Sequence, residues 1–107
     1  MLLLRRSEIA SLLTLPDYIQ VVEDAFRQHA EGRAFVPALA HIDADGGESH
    51  IKAGGLHGEP PYFAVKVNGG FFHNQGRFGL PNIQGLIVFS RGDNGGRWPL
   101  WIPSKRS

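Results

Sequence analysis

The sequence predicts an α+β fold: an amino-terminal strand and two helices packed on a mixed, mostly antiparallel sheet of about five to six strands, with no Rossmann domain. Three observations predict it. Leu15, Ile19, Val22, Phe26 and Ala30 recur at spacings of four and three, the period of a helix with one apolar face. After Gly32 the period changes to two, the period of strands. Glycine and proline then divide the second part of the chain into four or five short extended runs.

Taken in order, Leu2 to Leu4 read as a short strand. Ser7, followed by Glu8, Ile9, Leu12 and Leu13, reads as the N-cap of a helix of about two turns. The second helix has clearer punctuation. Thr14 caps it, Pro16 sits where a missing N–H costs least, Asp17 suits the positive helix end, and Gly32 takes the left-handed conformation that stops it. Its apolar face is expected to lie on a sheet, with Glu23, Asp24, Arg27 and Glu31 in water. Ala38 to Ala44 alternates alanines and Ile42 with Leu39, His41 and Asp43. Ser49 to Leu56 is a weaker strand because of Gly54 and Gly55. Tyr62 to Asn68 is a strong one, with Phe63, Val65 and Val67 on one face and Tyr62, Ala64, Lys66 and Asn68 on the other. Asn82 to Ser90 alternates again, placing Asn82, Gln84, Leu86 and Val88 together. Asp93 to Gly96 is a turn by composition, and Arg97 to Ile102 returns as a last strand broken by Pro99.

The 107 residues make one domain, 1–107, with a frayed tail at 103–107. A net charge of +1, from 11 basic and 10 acidic residues mixed along the chain, supplies no broad field for nucleic acid or anionic lipid. Charges interrupt every apolar run, and the start lacks the order of a signal peptide, so no membrane association is expected. Zero cysteines fit a cytoplasmic setting. There is no Gly-x-Ser-x-Gly elbow, and neither Gly69-Gly70 nor Gly95-Gly96 completes a phosphate-binding fingerprint. The five histidines lack zinc-motif spacing; strands can gather His41, His50 and His57, but scattered hydrogen-bonded histidines are commoner, and no metal is expected.

The run from Phe63 to Phe89, FAVKVNGGFFHNQGRFGLPNIQGLIVF, is the most specific feature. A strand bearing one lysine leads through a glycine-rich loop into a strand that opens Gly-Leu-Pro-Asn-Ile-Gln-Gly. It resembles the signature of the ornithine cyclodeaminase/mu-crystallin family, whose members read Val-Lys-Val, an Asn/Gly-rich loop, then Gly-Leu-Pro-Thr-Val-Gln-Gly. The opening strand, the Asp17 to Gly32 helix and the Val36-Pro37 to His41 segment fall in family order, so the resemblance extends to about Leu100.

The resemblance implies an amino-terminal substrate-binding and dimerisation domain, with NAD or NADP held by a downstream Rossmann domain and no cofactor in this chain. It implies ornithine cyclodeamination, or reduction of cyclic imines and related amino-acid dehydrogenation. Lys66 matches the family lysine that helps hold the substrate carboxylate, and Asn82 and Gln84 match polar positions of the Gly-Leu-Pro motif and are expected to hydrogen-bond beside it. No catalytic residue is expected here. Many members carry an arginine two residues before the histidine matched by His41, and here that place is Leu39, which weakens the clamp. A family pattern of Gly-rich fingerprint and catalytic aspartate is expected after Leu100 and is not in this sequence, so the expected function is a truncated, substrate-side unit of cytoplasmic amino-acid metabolism, inactive alone. Two alternatives stand beside it: a stand-alone amino-acid or imino-acid carboxylate-binding module, and a purely structural homodimerisation unit.

Overall fold

A computed structural model describes residues 3–95 and 97–102, with side chains through residue 95. The expected tail at 103–107, and the residues Leu2 and Gly96 of two expected elements, lie outside the described residues. The elements run β1 (Leu3–Arg5), α1 (Arg6–Ala10), α2 (Leu15–Ala30), β2 (Ala38–Ala44), β3 (Gly47–Leu56), β4 (Tyr62–Gly70), α3 (Asn74–Phe78), β5 (Ile83–Arg91) and β6 (Arg97–Ile102). The described strands form one mixed sheet in the order β1-β6-β5-β4-β3-β2. Every pairing is antiparallel except β1 with β6, which is parallel. The α+β fold predicted from the pattern is therefore the fold observed.

The punctuation of α2 works as the residues dictate. The Thr14 hydroxyl accepts the Asp17 N–H, and the Asp17 carboxylate accepts from both the Thr14 N–H and the Thr14 hydroxyl at 2.9 Å. At the other end Gly32 stands at φ +78°, its N–H donating to His29 and that of Arg33 to Gln28, a Schellman closure. The first helix differs from expectation. Arg5, not Ser7, is the N-cap: Glu8 reaches back to the Arg5 N–H at 3.2 Å, which places Ser7 inside the first turn. The glycine-rich loop after Gly70 contains α3, closed by Gly79 at φ +67°.

The apolar stripe of α2 does not turn wholly to the sheet. Tyr18, Ala25 and Gln28 are half-buried, whereas Leu15, Ile19, Val22 and Phe26 lie mostly in solvent, Phe26 at 72% exposure. The helix therefore has one face on β3 and one uncovered. Val21 and Gln28 form a cleft of about 430 Å³ with Leu56, Tyr62, Ala64 and Phe89.

The sheet is also bare on one side. Pairing places Ala40, Ile51, Val65, Val67, Leu86 and Val88 on a common face. Among the described elements the helix that touches the middle strands, α2, lies against Gly54, Ala64 and Phe89 of the opposite face. No hydrophobic side chain among the described residues is fully buried. The accessible surface is 7869 Å² for 11.8 kDa, against about 5900 Å² for a compact monomer of this mass. The radius of gyration, 15.7 Å, likewise exceeds the about 13 Å of a compact chain of this length.

Candidate functional site

In an antiparallel sheet, residues directly opposite one another point to the same side, so the register assembles the site row by row. Leu39, Lys52, Lys66 and Ile87 form one row across β2, β3, β4 and β5. The next row on that face is His41, His50, Asn68 and Gly85. Lys66 is half-buried and Lys52 is exposed. Among the described residues neither ammonium group has an ion-pair or hydrogen-bond partner, whereas Arg27, Arg33 and Arg91 each meet a carboxylate. Like charges directly opposite are unfavourable in a sheet, and an anion between them removes the penalty.

Gly85 makes room for the neighbouring amide. A Cβ at that position would collide with the side-chain oxygen of Asn68, so the glycine that ends the Gly-Leu-Pro-Asn-Ile-Gln-Gly run lets Asn68 lie across β5. Asn68 thereby presents a neutral hydrogen-bonding group one row from the two lysines. Lys52 is the residue that sequence reasoning missed. Its signal was available only through pairing, because it lies in the strand weakened on paper by Gly54 and Gly55.

Asn82 and Gln84 are not brought beside Lys66. Gln84 stands opposite Gly69, in the odd register, so its side chain leaves from the other face of the sheet. Its amide donates to the Pro81 carbonyl at 3.4 Å. Asn82 precedes β5, its side-chain oxygen accepting the Gln75 N–H at 3.1 Å and its backbone carbonyl the Phe71 N–H at 2.7 Å. Asn74 donates to the same Pro81 carbonyl as Gln84, at 3.2 Å. The polar residues of the motif thus fasten the loop containing α3 onto the start of β5. Leu39 is exposed and sits next to Lys52, so the cation expected at position 39 has its nearest counterpart one strand over.

Of the three histidines that strands could gather, two meet. His41 and His50 are directly opposite, with ring centroids 4.4 Å apart. His57 lies past the end of β3, its ring 3.8 Å from that of Phe35.

No family model matches the chain. It is 27% identical over 101 residues to the alanine dehydrogenase of Archaeoglobus fulgidus, a match that covers 94% of this chain and 30% of that enzyme. Among solved structures, Δ1-pyrroline-2-carboxylate reductase of Thermococcus litoralis, in complex with NADH and L-proline, superposes with a TM-score of 0.81 at 30% identity, over 95% of this chain and 32% of that one. The homologues of this chain are members of the ornithine cyclodeaminase/mu-crystallin family. An archaeal alanine dehydrogenase dimer with bound NAD shares the fold at TM-score 0.84 and 24% identity. Iminosuccinate reductase of Paracoccus denitrificans, with NAD⁺, does so at 0.79 and 23%. The family resemblance and the α+β expectation of the amino-terminal domain therefore hold, and the chain spans about 30% of the length of the relatives it matches. Among the described residues no helix is long and apolar enough to cross a membrane.

Proposed function

We propose that residues 1–107 form a single substrate-side domain of an amino-acid-metabolising protein of the cyclodeaminase and imine reductase kind. It holds the carboxylate of a small amino or imino acid at Lys66, with Lys52 in place of the arginine absent at position 39. Asn68 adds a hydrogen bond, while Asn82 and Gln84 shape the loop beside it. Hydride transfer to or from NAD or NADP is not carried out by these residues alone, and the setting is cytoplasmic.

Two unpartnered ammonium groups directly opposite each other on one sheet face support this assignment above all. Two charge-assisted contacts at a partly open surface correspond to an affinity of about a millimolar. The test is calorimetric titration of the folded chain with L-proline and L-ornithine, repeated on Lys66→Ala and Lys52→Ala. Saturable heat lost in both variants is expected. Absence of saturation from a folded sample, or binding retained in both variants, overturns a carboxylate site in this chain.

The uncovered stripe of α2 and the bare sheet face favour an association role as well. A homodimer covers such surfaces at the scale of about 1,200–2,000 Å² or more that stable interfaces bury. Sedimentation at high concentration is the check, since the mass of one chain throughout rules the dimer out.

A further inference from the structure

We infer that His41, Glu48 and His50, with Asp43 beside them, form a binding site for a borderline divalent cation such as Zn²⁺ on the edge of the sheet. The site lies on strands β2 and β3 and is independent of the carboxylate reading above.

The inference begins with pairing. His41 and His50 face each other across β2 and β3, and Asp43 and Glu48 face each other one row further along the same face. Two cross-strand pairs therefore bring two imidazoles and two carboxylates to one patch. Opposed carboxylates repel, so the patch has a reason to hold positive charge.

The donors converge. His50 Nε2 lies 3.0 Å from Glu48 Oε1, and His41 Nε2 lies 3.3 Å from Glu48 Oε2 and 2.9 Å from Asp43 Oδ1. One ligand atom from each of His41, Glu48 and His50 falls within 4.8 Å of the others. Metal–nitrogen and metal–oxygen bonds of about 2.0–2.2 Å require donors about 3.3–3.6 Å apart in a tetrahedral set, so the side chains must rotate to draw together donors that now lie within 4.8 Å of one another. Nitrogen and carboxylate donors without thiolate suit Zn²⁺, Co²⁺ or Ni²⁺, whereas an all-oxygen shell would suit Mg²⁺ or Ca²⁺. β2 is the edge strand, and His41 is 46% exposed, so a hydrated ion has free access and keeps open positions for water or a ligand.

Chemically, the ion would take the place of the hydrogen bonds that join His41 to Asp43 and His50 to Glu48. That exchange needs both rings neutral and binding through Nε2. The ordinary alternative is a pair of histidine–carboxylate contacts with no metal affinity.

Chelator-treated chain, with any affinity tag removed, is titrated with Co²⁺ and followed by visible absorption, then with Zn²⁺ in competition. One equivalent, saturating, with the intense bands of a low-coordinate site, is expected. His41→Gln and His50→Gln should each weaken uptake by at least about tenfold, as loss of a direct ligand must exceed the effect of losing an outer-shell partner. Glu48→Gln should weaken it too, while His57→Gln and His73→Gln should leave it unchanged. All five side chains are at least partly exposed, and circular dichroism establishes that each variant is folded. No saturable uptake, or equal losses from His57→Gln and His41→Gln, overturns the site.

Discussion

Gly54 and Gly55 are adjacent in sequence yet should respond to the same substitution with opposite signs. Neither has a positive φ, so alanine suits the backbone at both. A methyl at Gly54 meets nothing within 4 Å and faces the cleft beneath α2, lined also by Ala25, Phe26 and Leu56. A methyl at Gly55 collides with the Tyr62 carbonyl and lies 2.6 Å from Phe63 Cβ and 2.7 Å from Phe63 Cα. Those are atoms of the paired strand itself, so relief requires β3 and β4 to separate. Removing a strand glycine stabilises by about 0.5–1 kcal/mol through the unfolded chain. Overpacking against a backbone costs about 1–3 kcal/mol. Gly55→Ala should therefore lose about 1 kcal/mol net, and at most about 2.5 kcal/mol, whereas Gly54→Ala should gain about 0.5–1 kcal/mol. At about 4–8 °C per kcal/mol for a chain of this size, melting should fall by about 4–8 °C, and by at most about 20 °C, in the first and rise by about 2–8 °C in the second. Thermal unfolding followed by circular dichroism reads both. Shifts in the same direction, or a Gly55→Ala protein that melts above wild type, would refute the register of β3 on β4.

Thr14→Ala removes the α2 cap and should cost about 1 kcal/mol near neutrality. Hydrogen bonds from the Thr14 backbone N–H, then from its hydroxyl, hold the Asp17 carboxyl below its ordinary value. A depressed carboxyl contributes stability above its unfolded value and loses it as pH falls through the lower folded one, so the gap between wild type and Thr14→Ala, measured by urea unfolding, should narrow below about pH 4. Gly85→Ala should displace the Asn68 amide, the end of a movable side chain, with a melting change within about 4 °C but a severalfold loss of L-proline affinity. Equal stability and unchanged affinity would remove Asn68 from the site.

Much of the fold was legible because its signals are local. Thr14, Pro16, Asp17 and Gly32 act through neighbours within one turn, and the alternation from Tyr62 to Asn68 records burial of one strand on its own. What failed to show was whatever depends on pairing. Sequence parity put Asn82 and Gln84 on one face of their strand, but only the register opposite Gly69 reveals that this face is not that of Lys66. The same holds for Lys52 and for the meeting of His41 with His50, each set by a partner strand. The stripe of α2 was read correctly as apolar, yet periodicity cannot say what covers it, and within this chain most of it stays uncovered.

The parallel pairing of β1 with β6 bears on the order in which the molecule assembles. Strands β2 to β5 join their sequence neighbours across residues 45–46, 57–61 and 71–82, each a far smaller loop than the one between β1 and β6. Leu3 finds Leu100 only after nearly the whole chain has been gathered, and it docks on a strand whose own pairing with β5 is interrupted between Val88 and Ser90. Loop closure over that span is the most expensive entropically and the least rewarded by area, which makes it the last step in folding and the first to be lost in partial unfolding. Amides of Leu3–Arg5 should exchange with solvent long before those of Tyr62–Gly70. On the ribosome, the strand made early must wait, unpaired, until the one it needs has been synthesised.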